Sequence, residues 1–424
     1  MNRQPAGPTR RAERSLYAVL GIACVIRLAF VLLYPQLPVV NDAAAYDQQG
    51  FSIAFSHGVL QGNDGPIPIS KGPVYPIFLA VIYRIAGYHH TAARVVQALL
   101  SAWSVLLIYK LAQTVFPPGI ALIASALAAI YPPFISYSGL LLTEIASVVL
   151  LLAFIHSVIK GVSGSAGRWW VAAGVWGGLL VLHREETLLL LVCIVAAVWW
   201  WRIGWSRLGL MLGTVALIVL PWVVRNHRVY QAWVLNPAQQ GAQVWLSTYA
   251  ARWQEWHNED PYYRSVVDVD GLNLVQQDRR LLREGLKQIL EHPWVYLTMC
   301  LQRIPRFWVG GHSDTFVHLE QSLGSYVRQG KHLTASRKVA MLLYNLSLIA
   351  GGFAGMYLAW KLSIVDGRHL ILLALPVITT AVVHFFLFAV LRYQVPIMPF
   401  VIIFAAYSIG HLRHQIRDLL PVHE

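Results

Sequence analysis

The sequence predicts an all-α polytopic membrane protein with about ten transmembrane helices, interfacial helices in the first outer loop and a helical outer segment. Three observations predict it. Of 424 residues, 57% are hydrophobic and only 12% charged; the mean hydropathy is +0.53; and long apolar runs recur, joined by short connections that carry basic residues. A soluble domain carries charge on about a quarter of its residues. A bilayer core roughly 30 Å thick needs about 20 apolar residues per helix. The 16 tryptophans and 19 tyrosines fit headgroup belts, where amphipathic rings collect.

The chain opens on a polar tail with Arg3, Arg10, Arg11 and Arg14. The apolar run at 16–34 is too long for a signal-peptide core and has no clear small-residue cleavage site, so it predicts an uncleaved first span. Further spans are predicted at 92–114, 120–137, 140–159, 169–182, 188–201, 208–224, 339–360, 369–390 and 397–411. Threaded in this order, Lys110, Lys160, Arg168, Arg202, Arg207, Lys361, Arg368, Arg413 and Arg417 fall with the N-terminal arginines on one side, the cytoplasmic one. The opposite side carries loop 38–91, the turn His183-Arg184-Glu185-Glu186, the segment 225–338 and the turn at 391–394. The expected organisation is a membrane module 1–224, an outer helical segment 225–338 and C-terminal spans 339–424.

Within the first outer loop, 76–86 is apolar but too short to span, which predicts a helix lying in the interface. In the outer segment, 272–290 predicts an amphipathic helix, with Val275, Leu282, Leu286 and Ile289 on its apolar face and Arg279, Arg280, Arg283 and Lys287 on its basic one. An acidic patch lies at 255–260. The net charge of +13 is spread over short loops without a recognition motif, so anionic lipid rather than nucleic acid is the expected partner. Cys24, Cys193 and Cys300 have neither metal spacing nor a disulfide framework. Nucleotide-binding loops, zinc-protease and serine-hydrolase motifs are all missing, which argues against a nucleotide-driven pump.

Several polar groups stand out against this background. Asp42 reads either as a carboxylate capping the following helix or as an acid/base group at the lipid–water boundary. Lys71 reads either as a snorkelling lysine or as a point charge for a phosphate. Arg225 and Arg392 sit at outer span ends, where anchor arginines are common. Arg27 lies within the first span and, at a cost of at least about 2.5 kcal/mol unpaired, needs a partner; Glu144 is the candidate, as a structural pair. Arg184 and Glu186 could line a cavity or belong to a solvated turn, and His384 reads as a packed histidine.

The order of Asp42-Ala43-Ala44-Ala45-Tyr46, Lys71-Gly72-Pro73-Val74-Tyr75-Pro76, Leu142-Thr143-Glu144, Pro221-Trp222-Val223-Val224-Arg225-Asn226 and Arg392-Tyr393-Gln394-Val395-Pro396 resembles the GT-C glycosyltransferases, in particular the protein O-mannosyltransferase-like family and the lipid A aminoarabinose transferases. The resemblance implies transfer of a sugar from a polyprenyl-phosphate carrier to a lipid, glycan or protein acceptor at the outer face of a bacterial inner membrane. It implies Asp42 as the base, Lys71, Arg225 and Arg392 around the donor phosphate, and Tyr46, Asp47, Glu144, Arg184, Glu186 and Tyr393 as possible cavity or acceptor groups. Gly72 replaces a proline of the family pattern, which would loosen the turn after Lys71. No metal and no cofactor are expected. A flippase for lipid-linked sugars is the alternative; it would show two similar halves, and the sequence has no such symmetry. A non-catalytic scaffold binding another envelope protein is the third reading.

Overall fold

The computed structural model describes residues 10–56, 72–164, 166–238, 240–248, 271–312, 321–363 and 365–419; Lys71 and the acidic patch at 255–260 lie outside the described residues. All regular elements among them are helical. In chain order these are α1 (Arg10–Leu33), α2 (Asp42–Phe55), α3 (Val74–Ala86), α4 (His90–Val115), α5 (Pro118–Ala129), α6 (Pro132–Gly139), α7 (Glu144–Ser163), α8 (Gly167–His183), α9 (Leu188–Trp200) and α10 (Trp205–Tyr230). Then follow α11 (Gln240–Thr248), α12 (Leu274–Glu291), α13 (Pro293–Trp308), α14 (Leu323–Arg328), α15 (His332–Lys361), α16 (Gly367–Phe386) and α17 (Met398–Leu419). Short 3₁₀ turns at Glu185–Thr187 and Leu391–Ile397 precede α9 and α17.

Seven helices among the described residues are long and apolar enough to cross a bilayer, and up to eight if the bent pair α5–α6 is one span. The ten predicted spans differ from this for physical reasons. Pro132 and Pro133 deny the helix its amide donors, Tyr131 is extended before them, and the two halves meet at 48°. With 17 and 13 residues, α8 and α9 are short for the roughly 30 Å hydrocarbon thickness. Most of α7 is buried, apolar on all sides as a central helix must be; it packs on α8 and α4. Phe134, Leu152, Phe400 and Phe404 are fully buried in the same core.

As predicted, α3 is a short apolar helix; it packs on α2 and leaves Val81 and Ile85 exposed. The outer helix forms from a capping box, Asn273 with Gln276, and its basic residues face outward. Its buried stripe, however, is Val275, Leu281 and Gly285, while the expected Leu286 is exposed. The stripe is rotated because the contact is made by α11, whose Trp245 backbone lies 3.0 Å from where a Cβ at Gly285 would stand.

The expected Arg27–Glu144 pair does not form. Arg27 is fully buried and donates to Ser101 Oγ (2.8 Å) and to the carbonyls of Ala23 (3.0 Å), Ala129 (2.9 Å) and Ala128 (3.1 Å). At the broken α5–α6 junction the carbonyls of Ala128 and Ala129 have Pro132 and Pro133 four residues on, which bring no N–H, and they satisfy the guanidinium without a counter-charge.

Candidate active site

A cavity of about 970 Å³ opens where six separate stretches of chain meet: 41–46, Gly72, 137–144, 183–189, 238–246 and 383–393, joined by His312. Of the residues singled out from the sequence, Asp42, Tyr46, Glu144, Arg184, Glu186, Arg392 and Tyr393 line it.

Asp42 is the first residue of α2, not its cap. Asn41 holds the cap position with a left-handed φ of 52° and makes no side-chain cap bond. The Asp42 carboxylate instead accepts from Arg392 Nη2, and both side chains remain partly exposed, 29% and 28%. On its other side, Arg392 Nε lies 3.7 Å from Oε1 of the buried Glu144. A second pair, Arg184 Nε to Glu186 Oε1 at 2.7 Å, stands beside the first, and the two guanidinium groups lie 5.2 and 5.3 Å from the ring of Tyr393. Tyr393 in turn stacks on His384, and His384 on Phe307. The histidine is packed as expected, with Nδ1 2.9 Å from the Phe388 carbonyl. Burial works against charge on both Arg184 and Glu186, yet each keeps its charge: Glu186 holds the Arg184 pKa above the usual value, and Arg184 holds Glu186 below it. Tyr46 is driven well above the phenol range by burial and then by the Asp42 charge, so it serves as a neutral hydroxyl.

Two expected residues stand elsewhere. Asp47 is buried on the far side of α2, accepting from Tyr83 (2.5 Å) and Tyr88 (2.6 Å) with His90 Nε2 at 3.1 Å. It fastens α2 to α3 and to the start of α4. Arg225 does not line the cavity. It lies over Trp222 (4.8 Å) and Tyr230 (5.5 Å) and donates to Asn226 Oδ1 (2.9 Å). Asn226 then grips the carbonyls of Val234 (3.0 Å) and Leu235 (2.9 Å), so Arg225 braces the strap that leads to Asn236.

Gly72 itself makes a close approach. A Cβ there would lie 2.2 Å from the Leu182 carbonyl oxygen and 2.7 Å from that of His183, so glycine is what lets the backbone at 72 pass against the end of α8.

The site has supports that sequence reasoning missed. Arg94 donates to the carbonyls of Pro35 (2.5 Å) and Leu37 (2.6 Å), holding the chain that enters Asn41. Gln97, one turn on, receives the Tyr75 hydroxyl (2.7 Å) and donates to the carbonyls of Tyr137 (2.7 Å) and Leu140 (2.5 Å) just before Glu144. Asn345 accepts from Tyr131 (2.8 Å) and donates to Gly310 (2.6 Å) and, at 3.3 Å, to Gln394, next to Tyr393. The available signal was polar residues on one face inside spans, where an unsatisfied group is costly.

Comparison with known proteins agrees with this architecture. A family model described as dolichyl-phosphate-mannose-protein mannosyltransferase matches residues 70–224. The fold is similar to the oligosaccharyltransferase AglB of Archaeoglobus fulgidus, solved with an inhibitory peptide and a dolichol-phosphate, with a TM-score of 0.56 at 16% identity over 98% of this chain and 53% of that one. An Archaeoglobus fulgidus oligosaccharyltransferase tethered with an acceptor peptide gives 0.54 at 14% identity, over 95% and 50%. ArnT of Cupriavidus metallidurans bound to undecaprenyl phosphate gives 0.43 at 16% identity, over 96% and 80%. This chain spans about half the length of the oligosaccharyltransferase. A comparison with curated proteins finds no match. The chain is thus a helical multi-pass membrane protein by the length and apolarity of its helices, similar in fold to that oligosaccharyltransferase.

Proposed function

We propose that the chain is an inverting glycosyltransferase that moves a sugar from a polyprenyl-phosphate carrier to an acceptor hydroxyl on the outer, periplasmic face of a bacterial inner membrane. One observation carries this reading: Asp42 and Arg392, 350 positions apart in sequence, meet in the cavity. The acceptor oxygen attacks C1 of the sugar from the face opposite the phosphate. The C1–O bond breaks with its electron pair going to the phosphate, and Asp42 takes the hydroxyl proton. Arg392, with Arg184 in the place expected of Arg225, faces the leaving phosphate, where a single well-placed donor is worth about 3 kcal/mol; Lys71, outside the described residues, is the further cation proposed for it.

The ion pair gives this scheme an order of events. A carboxylate held by a guanidinium is a weak base. A phosphate entering the cavity competes for Arg392 as a bidentate acceptor, and Asp42 is then released to receive a proton. Donor binding therefore arms the base. The apolar cavity residues Leu387, Val390 and Leu391 suit the first isoprene units of a carrier.

The test is transfer from lipid-linked sugar in proteoliposomes. Asp42→Asn is expected to lower turnover about a hundredfold or more while donor still binds. A flippase would keep moving lipid in that variant. Unchanged transfer by Asp42→Asn would remove the proposal.

A further inference from the structure

One carboxyl in the cavity differs from the rest in its surroundings. Asp42, Glu144 and Glu186 all lie within 4 Å of an arginine nitrogen. Glu185 has no such cation among the described residues. Its Oε2 accepts instead from two neutral amides, Asn236 Nδ2 at 3.1 Å and Gln240 Nε2 at 3.3 Å. Glu185, Gln240 and Gln243 line the cavity together, the first from the turn after α8 and the others from α11 of the outer segment.

A carboxyl among side-chain amides offers no cation to a phosphate and suits hydroxyls, because each O–H can donate to the acid and accept from an amide. A second observation asks for hydroxyl donors in the same cavity. Glu144 is 1% exposed, and its Oε2 has no hydrogen-bond partner among the described residues. Phosphate dianion brings no donor that could satisfy it.

We infer that Glu185, Gln240 and Gln243, with Asn236 orienting the carboxyl, form a hydroxyl-reading subsite for an uncharged sugar ring, distinct in chemistry from the arginine pair. The inference rests on the transferase reading for the identity of its ligand. It also divides the cavity, with guanidinium groups for phosphate and a carboxyl–amide group for the ring. The ring belongs either to the donor or to a glycan acceptor, and both present the same hydroxyls. Because the subsite joins the bundle to α11, sugar binding ties the outer segment to the membrane domain.

The full-length protein in nanodiscs provides the test, comparing undecaprenyl phosphate with its glucosyl, galactosyl and mannosyl derivatives. Glu185→Ala and Gln240→Ala are expected to weaken binding of at least one sugar-bearing lipid about tenfold and to leave bare undecaprenyl phosphate within twofold. That result assigns the ring to the donor. A tenfold rise in acceptor KM with kcat preserved and donor affinity unchanged assigns it to the acceptor. Parallel loss of bare-lipid affinity, or no change in either quantity, overturns the subsite. Gln243→Ala leaves the Glu185 bonds in place and supplies the same readout if Glu185→Ala fails to fold. Hydrogen exchange at 184–189 and 240–248 with free glucose, galactose and mannose keeps the two readings separable. If undecaprenyl phosphate does not bind, the transferase reading fails; hexose protection that Gln240→Ala abolishes still supports the subsite, and protection by none of them overturns it.

Discussion

Glu185 is where environment and chemistry part most clearly at the residue scale. Burial first, and then the neighbouring Glu186, push its pKa from the ordinary 4.5 up to about 7. A carboxyl raised in the folded state holds its proton more tightly there than in the unfolded chain. Its stabilising contribution is complete below about pH 4.5 and is lost as pH rises through 7. Thermal melts between pH 4.5 and 7.5 should therefore show a decline in stability that Glu185→Gln flattens; an identical slope in the variant would show the group is not buried as described. Arg392 is the counterpart on the cationic side. Arg392→Ala leaves Asp42 and Glu144 without the cation that lies between them, so undecaprenyl phosphate affinity is expected to fall about tenfold or more, measured by direct titration, and Arg392→Lys should restore only part of it because an ammonium lacks the fork. Equal affinity in the alanine variant would place the phosphate elsewhere.

Elements matter here through their ends. Asp42 begins α2, Glu144 begins α7, Arg184 follows α8 and Arg392 precedes α17, so the site is an assembly of helix termini whose loops must close tightly. Gly72 is the sharpest case. Gly72→Ala drives a methyl into backbone carbonyls that cannot rotate away, and overpacking of this kind costs about 1–3 kcal/mol. A lowered melting temperature is expected together with loss of transfer; an unchanged melting temperature would mean the loop can stand off from α8. Sequence reading found most of the helices because apolar length is a local property. It assigned Arg27 to Glu144 wrongly because it could not see that the Pro132-Pro133 break would leave carbonyls without their i+4 donors beside the guanidinium. For the same reason Arg94 and Gln97 passed unremarked: their partners are backbone atoms of loops far along the chain.

Across the whole molecule, the outer segment and the bundle share one cavity, and the strap at 231–238 is the join. Arg225 holds that strap through Asn226. Arg225→Leu is expected to speed hydrogen exchange across 231–248 and to leave affinity for bare undecaprenyl phosphate within twofold. A large loss of that affinity would return Arg225 to the phosphate. The Asp42–Arg392 meeting was legible beforehand, since both residues were expected in connections on the same side of the membrane. Arg184 beside Tyr393, and Glu185 among amides, were legible only as a polar turn that could equally have been solvated.

By itself the sequence determined that this chain is a helical membrane protein, and it led to the expectation that Asp42 and Arg392 share one side of it; hydropathy, helix length and loop charge decide these locally. Tertiary structure alone decided which acid meets which cation, why Gly72 must be glycine, and that Arg225 braces a strap while Arg184 enters the cavity. Those outcomes depend on side chains brought together from tens to hundreds of positions apart, and pairing in a packed interior is set by which groups are left unsatisfied after the helices have docked.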